Sequence, residues 1–344
     1  MKGKENNGMP VGKLGYFRYV VLAALLLLTA CDVEFSPNAE WKDIPVVYCV
    51  LDQDDDTTWA RIERCYLGED DIYGYSSVSD SFNYPQGSIQ VSLIAYHNGL
   101  PVDSVDFQYT EVERSDGNFA NHSQPMYFFP TGSFLREDCT YKLRLRRVSD
   151  GSRIAMSQSV PLVVQTASQV ISRPTNTGSF GFYDKNGSSA AFCKIEWPAL
   201  SNARRYQPIV RFYYSIDGEE MYEDFLCNTV MANTASTYYT FYSRASFLEE
   251  LYLRLKDDPR EKVYLRRFDI FLTACSEELN AYMSTIAASA DIDDAHEMFS
   301  NIDGGVGILG SRRTHLHKTV PGDSSNLANT GLYYFLMDLG INMI

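Results

Sequence analysis

Positive charge is scarce in this chain. Lys and Arg number 30 against 44 Asp and Glu, a net charge of −14 over 344 residues. So acidic a composition argues against nucleic acid as a partner, because that binding depends on neutralising phosphates. Histidine is scarcer, with five in all. No HExxH or GxSxG pattern occurs, so zinc-protease and nucleophile-elbow chemistry lack their residues. The seven cysteines include no CxxC pair, which argues against a structural zinc site. Nowhere do about 20 apolar residues follow one another, the length a membrane-spanning helix needs.

What is present begins at the N-terminus. Lys2, Lys4, Lys13 and Arg18 form a basic leader, and residues 19–30 are a short apolar segment. Together they read as residues 1–30 of a secretory signal, for which Met9 offers an alternative start. The segment closes on Leu28, Thr29, Ala30 and Cys31, which resembles the lipobox of bacterial lipoproteins. That resemblance implies a diacylglyceryl thioether on Cys31, cleavage before it and acylation of the new amine. Several acyl chains, each contributing about 0.8 kcal/mol per buried CH₂, anchor far more firmly than one. A hydrophobic core strand or the leader of a free secreted protein would not need the small residues before the cysteine. Asp32 and Glu34 follow. Acid there resembles a surface-export signal of the Bacteroidetes, whereas in other bacteria Asp beside the cysteine accompanies inner-membrane retention. The expected location is the outer membrane, lipid-anchored and facing the cell surface, with a periplasmic orientation as the alternative.

Residues 31–43 read as a polar tether and residues 44–166 as an immunoglobulin-like β-sandwich. Residues 45–52 and 58–67 are β-branched and aromatic, and an acidic turn, Gln53 to Asp56, joins them as a hairpin. Residues 89–97 run into Asn98 and Gly99, the strongest short hairpin signal, and return over 102–113. Residues 141–147 and 153–160 make a third pair around Ser149, Asp150 and Gly151. Short strands at this spacing suit a sandwich. The long polar loop 68–87 carries Tyr73, Tyr75, Phe82 and Tyr84. Exposed rings among small polar residues would stack on sugars or anchor a partner, so these four are the candidate ligand-facing residues. The alternative is that the loop folds back and its rings cap the sandwich.

Residues 167–344 read as a second β-rich domain with two or three short helices, making the whole chain mainly β. Strands are expected over 192–197, 208–216, 221–231, 237–242 and 263–274. Ser246 to Glu249 has capping-box form ahead of Phe247, Leu248, Leu251 and Leu255. Ser276, Glu277 and Glu278 open a second helix whose Leu279, Tyr282, Met283 and Ile286 form an apolar stripe fit for a core. Residues 305–310 match GxGxxG, yet a polar acidic loop precedes them and Ser311, Arg312, Arg313, Thr314 and His315 follow. A dinucleotide fingerprint needs a strand before and a helix after, so the segment reads as a glycine-rich bend entering a strand, where another backbone approaches.

Ser276 to Met283 and Asn301 to Gly310, taken with the lipobox and the sandwich, resemble a large family of Bacteroidetes outer-membrane lipoproteins built on a domain of unknown function. The resemblance implies company with TonB-dependent transporters and supplies no catalytic residues. Leu309 stands where that family leads one to expect an aromatic, and residues from 320 onward match nothing in it. Asp56, Thr57 and Thr58, and Asp103, Ser104 and Val105, resemble that phylum's O-glycosylation pattern.

Other constellations are thin. His315 and His317 would share one face of a strand, half of a metal site. Asp52, Asp54, Asp55 and Asp56 lack the glycine and distal glutamate of a calcium loop and read as a solvated hairpin tip. Cys49 and Cys275 sit in apolar runs and read as buried free thiols. The sequence therefore predicts a non-enzymatic binding or accessory module with no cofactor and no metal, holding a saccharide or peptide or contacting a transporter. A fimbrial or adhesin subunit is the alternative, weakened because no arginine lies between Cys31 and Arg61 for trimming. A glycan-active hydrolase is favoured by no residue.

Overall fold

Alternation of apolar and polar residues sets nearly every element of this protein. The structure, a computed structural model, describes residues 42–65, 82–113, 123–165, 192–216, 218–243, 246, 249–250, 253–254, 263–288, 299–318 and 342–343. Cys31, Tyr73 and Tyr75 lie outside them. In β1 (Pro45–Leu51) every second side chain is buried, with Val47, Cys49 and Leu51 pointing to one face, as a half-buried strand requires. β2 (Thr57–Arg64) returns beside it. β3 (Ile89–His97) pairs with β4 (Leu100–Asp106) across Asn98 and Gly99, whose φ of 51° and 79° are those of a type I′ hairpin turn.

The expected strand over 102–113 proves to be two. At Phe107 the chain leaves β4 and enters β5 (Gln108–Glu113), which belongs to a different sheet. The Phe107 ring is buried edge-on against Phe129, their centroids 4.9 Å apart. β6 (Ser123–Pro130) was not foreseen, because Pro125 interrupts its pattern. β7 (Thr140–Arg147), β8 (Arg153–Ser157) and β9 (Val160–Pro161) complete the first half.

In the second half β10 (Phe192–Pro198) pairs with β14 (Thr237–Ser243). β11 (Arg205–Ile216) lies between β12 (Glu219–Leu226) and β15 (Val263–Cys275), with β13 (Val230–Met231) also on β11. The strand expected over 221–231 is thus split into β12 and β13. The helix α1 (Glu277–Ala288) starts where expected, Ser276 Oγ accepting from the Leu279 amide at 3.5 Å. Only half its stripe is packed, since Tyr282 is buried while Met283 and Ile286 are exposed. β16 (Ile302–Asp303), β17 (Val306–Lys318) and β18 (Asn342–Met343) close the order. Among the described residues no helix is long and apolar enough to cross a membrane.

The mainly β architecture read from the sequence is what the structure shows. A ten-stranded sheet runs β12, β11, β15, β17, β1, β2, β6, β5, with β13 also on β11 and β18 also on β15, and a six-stranded one runs β16, β8, β7, β3, β4, with β9 also on β7. Residues 43–344 form one unit with two cores. The first takes Val47, Leu51 and Ile62 from the large sheet and Leu93, Leu143 and Leu145 from the small one, so it draws on both sheets. The second gathers Trp197, Tyr206, Phe212, Tyr214, Tyr238 and Tyr242. β17 serves both halves. Its residues 306–311 pair in parallel with β1, and its residues 312–318 pair antiparallel with β15.

Three buried tyrosines bolt loops back onto strands. Tyr141, at the start of β7, accepts from the Arg136 amide and donates to Phe134 O at 3.1 Å. Tyr238, at the start of β14, accepts from the Asn233 amide at 2.9 Å and donates to Asn233 O at 2.8 Å. Tyr206, in β11, accepts from the Leu200 amide at 3.0 Å. A hydroxyl reaching back a few residues is the tyrosine corner of β-sandwiches, and it occurs here in both cores.

Candidate functional site

The segment Asn301 to Gly310 turns out to be structural. A side chain at Gly307 would place its Cβ 2.0 Å from Val47 O, and at Gly305 2.7 Å from Pro45 O. The glycines let β17 enter against β1, another backbone, as the sequence reading supposed. Asn301, fully buried, clamps the turn by donating from Nδ2 to Leu309 O at 2.7 Å and accepting from the Leu309 amide at 2.9 Å.

The acidic hairpin tip is not simply solvated, which corrects the expectation from sequence. Arg312 lies 3.3 Å from buried Asp52 and 3.1 Å from Asp55, and Arg313 lies 3.0 Å from both Asp54 and Glu137. Burial pushes the Asp52 carboxyl above its ordinary value, partly offset by the Asp54 amide and Arg312. Carboxylates already matched to two guanidinium groups form a latch between β17 and the first hairpin rather than a calcium loop.

Of the aromatic loop, the structure describes Phe82 and Tyr84. Phe82 is half-buried. Tyr84 is buried and donates to Asp43 Oδ1 at 2.7 Å, while Arg147 donates to Asp43 Oδ2 at 2.8 Å. Burial and the Asp43 carboxylate push the Tyr84 phenol far above its ordinary range. Tyr84 is therefore corrected from an exposed, ligand-facing ring to a buried clamp on Asp43, two residues before β1. His315 and His317 do share a face of β17, and both are half-buried. Cys49 and Cys275 are buried and free. Burial raises their thiols to about 12 and about 11.

The better candidate lies on the outer face of the six-stranded sheet. On β7 the core takes Tyr141, Leu143 and Leu145, so Lys142, Arg144 and Arg146 point outward at intervals of about 7 Å. Among the described residues none of these three has a carboxylate partner. Lys142 Nζ lies 5.2 Å from the centre of the Tyr96 ring. Among the described residues Arg144 Nε, itself buried, has no hydrogen-bond partner. A cleft of about 420 Å³ opens here, lined by Ile94, Tyr96, Pro101, Asp103, Ser104 and Arg144. Ile94 pairs with Ser104 and Lys142, and Tyr96 with Pro101 and Thr140, so three adjacent strands build the floor. Asp106, next along β4, is already engaged by Ser92 at 2.6 Å and Gln90 at 2.8 Å.

This arrangement can bind and orient. It offers cations for an anionic group, a ring face for stacking and the Asp103 and Ser104 oxygens for hydroxyls. It was missed in the sequence because alternating cations on one strand read as ordinary outer-face polarity. Only the pairing of β3, β4 and β7 places Tyr96 and Asp103 beside them. No known protein family matches the chain, and no curated protein is significantly similar to it.

Proposed function

We propose that this protein is a lipid-anchored outer-membrane lipoprotein that binds a ligand without chemically changing it, in the service of a TonB-dependent transporter. The lipobox ending at Cys31 and the sequence resemblance support the address and the company. The observation that carries the binding role is the cleft beside Tyr96, where Arg144 presents a buried, unmatched Nε–H. A buried donor without a partner costs about 1 to 3 kcal/mol, a cost that a ligand's acceptor would relieve. The ligand that suits cations, a ring face and an exposed carboxylate together is an acidic saccharide.

Binding of polygalacturonate and of neutral dextran to the detergent-solubilised full-length protein tests this reading. The acidic polymer should bind, the neutral one should not, and Arg144→Ala should weaken binding about tenfold, as loss of a charge-assisted hydrogen bond implies. Equal binding of both polymers, or an unchanged affinity in the variant, would remove the cleft from consideration. Crosslinking on intact cells should capture a transporter through this protein.

A further inference from the structure

At the rim of the first core, apart from the cleft, three side chains of different chemistry converge. Tyr96 pairs with Thr140 at the end of the β3–β7 ladder. Just beyond that last pair, where the ladder ends, come His97 and Cys139. The Asn98 and Gly99 turn holds His97 from one side, and Tyr141 holds the loop before Cys139 from the other. His97 Nδ1 lies 3.3 Å from Asp138 Oδ2 and 3.0 Å from Asp138 O. Cys139 is buried, yet its Sγ meets polar atoms, 3.5 Å from Asp138 Oδ1 and 3.3 Å from Arg136 Nη2. The imidazole nitrogen, the carboxylate oxygen and the sulfur all lie within 4.8 Å of one another.

We infer that His97, Asp138 and Cys139 form a binding site for a divalent cation of the zinc class. A thiolate, an imidazole and a carboxylate are the donor set of zinc, with a water completing the tetrahedron. Calcium and magnesium, which take oxygen ligands, are excluded by the sulfur. The carboxylate already lies 3.3 Å from the imidazole nitrogen and 3.5 Å from the sulfur, close to the spacing of ligands that share one zinc, and side-chain rotation brings the three onto one ion. His97 and Asp138 have side chains 44% and 62% exposed, free to make that movement, while Cys139 supplies the fixed point. The ion would tie the β3–β4 hairpin to the loop that precedes β7. Only the strand register brings residue 97 to residues 138 and 139, so no sequence spacing announces the site.

Cobalt(II) substitution reads it directly. Full-length protein freed of metal with a chelator should take up one Co²⁺ per chain and develop a near-ultraviolet thiolate-to-cobalt charge-transfer band, which one equivalent of Zn²⁺ abolishes. His97→Gln and Asp138→Asn should each weaken Co²⁺ binding about tenfold or more, the scale seen when even an outer partner of a ligand is lost. Cys139→Ser should remove the charge-transfer band, and Cys65→Ser should leave it. Zn²⁺ should also raise the Tm of the wild type and not of His97→Gln, as binding to the folded state alone requires. Absence of the band in the wild type, or an unchanged Co²⁺ affinity in His97→Gln, overturns the site. Should Cys139→Ser fail to fold, the two exposed-ligand variants decide alone.

Discussion

The two cores solve the same packing problem with different side chains. The first is mostly aliphatic, with Val47, Leu51, Val91, Leu93, Leu143 and Leu145 alternating inward. The second is aromatic, with Trp197, Tyr206, Phe212, Tyr214, Tyr238 and Tyr242. Aliphatic side chains bring no polar atoms and ask only to be covered. Buried Tyr and Trp bring hydroxyls and an indole N–H that need partners. Tyr206 and Tyr238 find theirs on loop backbones, whereas Trp197 Nε1 is buried without one among the described residues. The first core nonetheless depends on remote chain, because Ile302 and Leu309 belong to it. Composition therefore does not decide which core is self-contained; connectivity does.

The sharpest way to break the contrast is Gly307→Ala. Its Cβ would meet Val47 O at 2.0 Å on a backbone with φ of 112°. The clash and the strained backbone together should cost about 3 kcal/mol or more. Hydrogen exchange should show β1 amides losing protection while those of β14 keep theirs. Tyr141→Phe and Tyr238→Phe come next. Each strands one loop amide and should lower stability by about 1 to 3 kcal/mol. Chemical denaturation gives the size, and exchange should place the first loss in the aliphatic core and the second in the aromatic one.

The smallest effect is one of pH. Burial foremost, then His317 and Arg313, hold the His315 imidazole below its ordinary value. The folded state thus favours neutral His315. Its contribution is complete above about pH 6.5 and is lost as pH falls through the depressed value. Tm measured from about pH 7 down to pH 5 should fall more in the wild type than in His315→Gln, and β14 and β15 should open before β1.

Local pattern made much of this legible. The alternating runs at β1, β3, β7 and β15 and the Asn98 and Gly99 turn were readable because they depend on neighbours in the chain. The capped start of α1 was readable for the same reason. What escaped depends on pairing at a distance. Nothing near Phe107 announces that the chain changes sheets there, and Pro125 disguised β6. Tyr84 looked like a loop ring because its partner, Asp43, is remote in the chain. The cationic row on β7 was visible as residues, but its meaning needed β3 and β4 alongside. Residues 305–310 were read correctly as glycines admitting another backbone, without revealing that the backbone was β1.

The shared strand β17 has a consequence for how the molecule is made. Sequential synthesis delivers β1 long before its parallel neighbour, and closing a loop of that length carries an entropic cost that grows with its logarithm. Until residues 306–311 arrive, β1 has one unpaired edge, and an open edge invites pairing with other chains. Folding of the first core is therefore a late event with high contact order, slow by nature. The first half therefore cannot lock until the strand it shares with the second half has been made.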